Sequence, residues 1–170
     1  MANEPIVLSD DMKVSGDTRW LRRDELDNWF QPVELYIPAG SITISNGAYT
    51  TIGWSAEHFD SFGLHDNAVN NSRITIVRAG KYFAHAGIKW GAQGVPAGTL
   101  LVFLMVNGTI NIGLEETPHT YDQMMIVQRQ FNLAAGDYIE VQVYQSSGGN
   151  LIIYGGGAYN SFFGAFRTGN

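Results

Sequence analysis

No cysteine occurs among the 170 residues. Disulfide staples, thiolate nucleophiles and cysteine-held metals are therefore excluded. Basic residues are scarce: 10 Lys and Arg stand against 16 Asp and Glu, a net charge of −6. That balance offers no positive field for a phosphate backbone, so nucleic acid is not an expected partner. No apolar run nears the ~20 residues of a membrane-spanning helix, and membrane insertion is not expected. Residues 1–10 have neither a basic start nor a long apolar stretch, so no secretory leader is expected there. Charge of either sign is sparse, 15% of the chain against a usual ~25%. Much of the surface is then expected to be covered, by tight β-packing or by partner subunits.

What is present is apolar, aromatic and glycine-rich. Apolar residues make up 45% of the chain and aromatics 12%, with 20 glycines. That is enough to build a core, which excludes wholesale disorder. Many glycines among Val, Ile, Thr, Tyr and Phe point to short strands joined by tight turns. The composition shifts near Gly40. Residues 1–40 hold 12 of the 26 charges but only two glycines. This divides the chain into an N-terminal arm or attachment segment, 1–40, and a head domain, 41–170. Within the arm, Trp20, Trp29 and Phe30 stand among charged residues. They either pack on the head or anchor the chain to a partner, as exposed aromatics do.

After Gly40, strand signals follow one another. Residues 41–45 alternate polar and apolar and end in Asn46-Gly47, a turn signal. Further strands are expected over 49–54, 73–78, 81–90, 100–106, 109–114, 124–132, 138–145, 151–154 and 161–167. Residues 57–71 are polar and read as a long loop. Residues 100–106 are nearly all apolar, as in a strand buried on both faces. Ten short strands without a helix predict an all-β sandwich or jelly roll.

The order of motifs resembles the complement globular-head and tumour-necrosis-factor superfamily. Arg-Ile-Thr-Ile-Val-Arg-Ala-Gly-Lys-Tyr-Phe-Ala-His-Ala (73–86) resembles its central strand pair. Asn107-Gly108 is similar to its hairpin after a buried strand. Phe-Asn-Leu-Ala-Ala-Gly-Asp-Tyr-Ile-Glu-Val (131–141) and Ser-Phe-Phe-Gly-Ala-Phe (161–166) resemble its Gly-Asp turn and closing strand. Ala84 and Ala86 depart from the aromatics of the complement heads. The resemblance spans roughly 41–168 and implies a ten-stranded jelly roll that forms a homotrimer. By strand parity, Tyr82, Ala84, Ala86 and Ile88 share one face and Phe83, His85 and Lys89 the other. The resemblance implies that the first set and Phe163 fill the core, while Phe83, His85 and Phe162 face the three-fold axis. Three imidazoles meeting there would bind a metal or an anion, or stay neutral and hydrogen-bonded. The second reading is preferred, and acid is expected to weaken the trimer.

Chemistry-bearing constellations are few. His58, Asp60, His65 and Asp66 share the polar loop, compatible with a divalent cation or with ordinary solvated turns. The solvated loop is preferred, and no metal or cofactor is expected. Trp54 and Phe59, with that loop, are candidates for stacking on a host-surface glycan, or are side chains pinned to the sandwich. Glu115 and Glu116 are adjacent and point apart on a strand, so they cannot act as an acid–base pair. Asp137 reads as a turn cap. No nucleophile elbow or phosphate-cradling loop occurs. An enzyme is therefore not expected. The expected function is a trimeric structural or attachment protein of a virion, specifically a phage head fibre, capsid decoration or tail module. Its partners would be itself, another virion protein through the arm, and a host glycan. A bacterial surface adhesin or carbohydrate-binding module is the alternative.

Overall fold

The computed structural model describes residues 30–92, 97–156 and 161–169, with the backbone of two short strands, β1 (Met12–Lys13) and β2 (Trp20–Leu21), which pair with each other. Twelve further strands form two sheets. The first sheet runs β4 (Ser41–Ile44), β13 (Leu151–Tyr154), β8 (Gly80–Trp90), β14 (Phe162–Gly169), β3 (Val33–Tyr36) and β6 (Ala56–Asp60), with β11 (Gln123–Leu133) on the other edge of β8. The second runs β10 (Thr109–Glu116), β9 (Leu100–Val106), β12 (Tyr138–Gln145) and β5 (Tyr49–Thr51), with β7 (Arg73–Thr75) also on β12. Every pairing within the two sheets is antiparallel.

β8 organises the first sheet. Its 11 residues pair with β11 along their whole length, from Gln123↔Trp90 to Leu133↔Gly80. On the other side β14 takes the stretch from Lys81 to Gly87, and β13 meets Trp90. Alternation does the sorting: Tyr82, Ala84, Ala86, Ile88 and Trp90 are all 0% exposed, the inward face expected from the period of two. Across the core the second sheet presents Val102, Leu104, Ile139, Val141 and Val143, also 0% exposed. Trp54 fills the interior beside Phe163, ring centroids 5.7 Å apart. The Asn107-Gly108 hairpin joins β9 to β10 with both residues at positive φ, 51° and 74°, the mirror-image turn that suits strand twist.

Three expectations need correction. Twelve strands, not ten, make the two sheets. Residues 57–71 are not one loop, because β6 occupies Ala56–Asp60 and pairs with β3. The head does not begin at Gly40: β3 pairs with β14, and Val33, Leu35 and Ile37 are buried in the core. A different local signal hid each strand. Pro32 and Pro38 bracket β3, and proline is a breaker signal that belongs to strand ends as well as turns. β6 is an edge strand rich in polar residues, with no apolar alternation to announce it.

Candidate functional site: an aromatic sheet face

The outward face of the first sheet is aromatic where a solvated sheet would be polar. Phe83 and His85 leave β8 on that face, and Phe162 and Phe166 leave β14 beside them. Ring centroids are 6.0 Å apart for Phe83 and His85, 5.4 Å for Phe83 and Phe166, and 5.7 Å for His85 and Phe162. These are contact distances for aromatic pairs, the first stacked and the other two tilted. Two glycines let the rings lie down. A Cβ on Gly87 would stand 2.4 Å from the Phe162 ring, and one on Gly164 would stand 2.8 Å from the His85 ring. The band continues sideways. Ile126 of β11, 54% exposed, aligns with Gly87, which aligns with Phe162 and then Tyr36. Tyr36 in turn stacks on His58 at 4.2 Å.

His85 is the titratable group in this band. Glu34 of β3 approaches its Nε2 at 3.8 Å, longer than a hydrogen bond. Its Nδ1 is buried and has no hydrogen-bond partner among the described residues. Burial among the rings pushes its pKa below the ordinary 6.5, while the Glu34 carboxylate pulls the other way. Desolvation is the larger effect, so the neutral ring is favoured.

The loop after β6 is built around a different histidine. The His65 side chain is 0% exposed. Its Nδ1 lies 2.9 Å from Glu57 Oε1 and its Nε2 3.1 Å from the Asn71 carbonyl. Its backbone N–H donates to Asp60 Oδ2 at 2.8 Å. Asn67 donates to the same Glu57 oxygen at 3.0 Å. Asp66 accepts from the N–H groups of Ala68 and Val69, which lowers its pKa. These groups are occupied in holding the chain. Among the described residues, no three His, Asp or Glu side chains come together as metal ligands. Nor do Trp54 and His65 face a ligand: Trp54 is 0% exposed and belongs to the core. Of the two readings open for Trp54, the structure bears out the side chain pinned to the sandwich and removes glycan stacking, because a buried ring has no free face. Phe59 is 46% exposed and sits across from Glu34, at the margin of the aromatic band instead of a separate loop site.

Of the residues expected to act together, Phe83, His85 and Phe162 are adjacent. His58, Asp60, His65 and Asp66 are neighbours in chain but divided in task. Phe30 is 53% exposed; Trp29 and the side chain of Trp20 lie outside the described residues. Phe166, Glu34 and Tyr36 were not anticipated. Phe166 was legible, four residues from Phe162 and so on the same face. Glu34 and Tyr36 were hidden with β3.

No protein-family model matches the chain, and no curated protein matches it. Among solved structures it is similar to the structure of Eiger TNF from S. frugiperda, with a TM-score of 0.62 and 12% identity over 83% of this chain and 94% of that one. The fold is a TNF-like jelly roll. In that frame β8 and β14 lie at the centre of one sheet of the TNF-like head, and the aromatic band is its outer surface.

Proposed function

We propose that this TNF-like head is a non-enzymatic module that assembles as a homotrimer through the aromatic face of the first sheet, and that it serves as a structural or attachment protein of a virion. The observation that carries the assembly is the band formed by Phe83, His85, Phe162, Phe166, Tyr36 and Ile126. A contiguous apolar patch of this kind marks an interaction surface. Burying each of its phenylalanines in a partner is favourable by about 2 kcal/mol. A closed ring needs two different patches on each copy. The β8–β14–β3 part of the band supplies one, and its β11 margin with Met124 and Ile126 supplies the other.

The non-enzymatic reading is supported by how carboxylates are used. Glu140 accepts from Ser72 and Arg73. Asp137 caps its turn through Ala134 N–H and Asn107. Glu57 holds His65 and Asn67. Each is engaged in holding its own turn or connection. The virion reading rests on the charged N-terminal segment with its aromatic beads ahead of a compact head, and fold alone does not give it. It takes the arm, with Trp20, Trp29 and Phe30, as the part that docks on another virion protein.

The test is the mass of the full chain in solution by light scattering. Three times 18.7 kDa is expected for the native protein, and a monomer or insoluble protein for Phe162→Asp. A soluble Phe162→Asp protein of unchanged mass would sink the assembly surface. Cosedimentation with virus particles purified from the source checks the docking arm. Loss on joint substitution of Trp20, Trp29 and Phe30 by Ala is expected, and undiminished cosedimentation argues against it.

A further inference from the structure

The outward face of the second sheet, turned away from the assembly face, carries its own aromatic group. Val141 and Val143 point inward, so Gln142 and Tyr144 point out. By the same alternation Leu101 and Phe103 of β9 point out between inward Val102 and Leu104. Tyr49 of β5 lies opposite Tyr144, and Thr51 lies opposite Gln142. The Tyr49 ring is 4.8 Å from Tyr144 and 6.1 Å from Phe103, tilted 36° to each. Phe103 lies flat over Gly113, where a Cβ would stand 2.6 Å from its ring. Gln142 Nε2 donates to Thr51 Oγ1 at 3.4 Å, at the foot of the rings.

Three features of this platform favour one kind of occupant. Tyr49 is 58% exposed although its ring is held against two others. It therefore offers a large, rigid surface at low entropic cost. The polar groups beside it are an amide, a hydroxyl and phenols, each able to donate and accept. The six side chains Tyr49, Thr51, Leu101, Phe103, Gln142 and Tyr144 are all uncharged. The exposed carboxylate of Glu115 ends the row of Tyr144 and Leu101 and would accept from a hydroxyl, while Arg73 and Glu140 in the next row are committed to each other at 3.1 Å. A flat apolar surface with neutral donors and acceptors at its edge matches a pyranose ring. One face of such a ring is C–H and its rim is hydroxyl. A nucleotide or an acidic peptide would find no cation here.

We infer that the Tyr49–Tyr144–Phe103 platform is a binding site for a neutral saccharide. The inference deepens the attachment reading and rests on it for its biological sense, but the site is complete within one chain.

The test is saturation-transfer difference NMR on the full chain with maltotriose, tri-N-acetylchitotriose and lactose, and with 3′-sialyllactose as the charged comparison. Saturation of ring protons is expected for at least one neutral sugar. Tyr49→Ala is expected to weaken that binding about tenfold, the scale of one lost aromatic contact. Tyr49→Phe, which keeps the stacking face, retains it. Tyr49 is on the surface, so an unchanged thermal midpoint shows that the fold is intact. No transfer to any neutral sugar at millimolar concentration overturns the inference, as does unchanged binding in Tyr49→Ala. A drop in solution mass with Tyr49→Ala also overturns it, since the face would then seat a second copy. Failure of the trimer reading appears in the mass of the native protein and leaves this titration as it was.

Discussion

Gly87 and Gly164 show how much a missing methyl decides. Both sit inside strands, where glycine forfeits packing and order. Each is covered by the ring of an aromatic neighbour on the outward face. In Gly164 the added carbon would also meet the Val33 carbonyl at 3.0 Å, and backbone there cannot yield without disturbing the β3–β14 ladder. Gly87→Ala has one route, lifting Phe162 off the sheet. We expect it to cost about 1–3 kcal/mol, the usual range for overpacking, read as a lower urea midpoint. A midpoint equal to that of the native protein would show that the ring is not held there. In the sequence both glycines fall inside expected strands, 81–90 and 161–167, with nothing to say what covers them. Their strand role depends on which ring crosses which backbone, and that is fixed only by the β8–β14 register.

At the scale of elements, the β6–β7 connection is clasped by buried side chains. His65 bridges Glu57 on β6 and the carbonyl of Asn71 at the start of β7. Asp60 secures the turn between them through the N–H groups of Phe62 and His65. With one ring proton His65 serves one acceptor, and with two it serves both. Replacing His65 by Ala removes both links and empties a buried site, at about 1–3 kcal/mol, although Asn67 still donates to Glu57 and the Trp54 backbone N–H to the Asn71 carbonyl. Faster amide hydrogen exchange over residues 61–72 is expected, with β8 and β11 unchanged. Exchange that accelerates equally in all strands would mean that the clasp supports the whole fold and not the loop. The sequence placed the polar residues in one stretch. It did not show that they face inward, because β6 itself carried no apolar alternation.

At the scale of the molecule, pH dependence follows from where His85 sits. Its folded-state pKa lies below the ordinary 6.5 because burial disfavours the imidazolium, with Glu34 opposing. The unfolded chain therefore takes up the proton more readily than the folded one. The stability contributed by the neutral ring is complete above about 6.5 and is lost as pH falls through the depressed folded value. Asp66 and Asp137 also have lowered values, Asp137 chiefly through its hydrogen bond from Asn107. They start from 3.8, so their share is lost only in stronger acid. A lower thermal midpoint at pH 5 than at pH 7.5 is expected, with a smaller difference in His85→Gln. If the variant keeps the full difference, His85 is not its source. Around His85 stand Phe83, Phe162, Gln128 across on β11 and Glu34 on β3. Glu34 is the one charged neighbour among them. Burial of this face in an assembly would remove more water from His85 and enlarge the pH effect.

The sequence by itself determined the all-β class, most strand positions, the two alternating side-chain sets on β8 and the shared face of Phe83 and His85. These follow from a period of two and from turn residues, which are local properties of the backbone. It also separated Phe162 from Phe163 by parity alone. Only the tertiary structure decided that residues 33–37 belong to the head, that Trp54 is core, and that His65 is a clasp. It alone brought Tyr49, Phe103 and Tyr144 together from three strands on the outer face. Such placements depend on pairings between residues far apart in the chain, such as Phe162 with Tyr36 and Tyr144 with Tyr49. The aromatic face opened as three expected positions, and the structure made it a surface. Strand order and two glycines, neither visible as such in the chain, set the rings side by side.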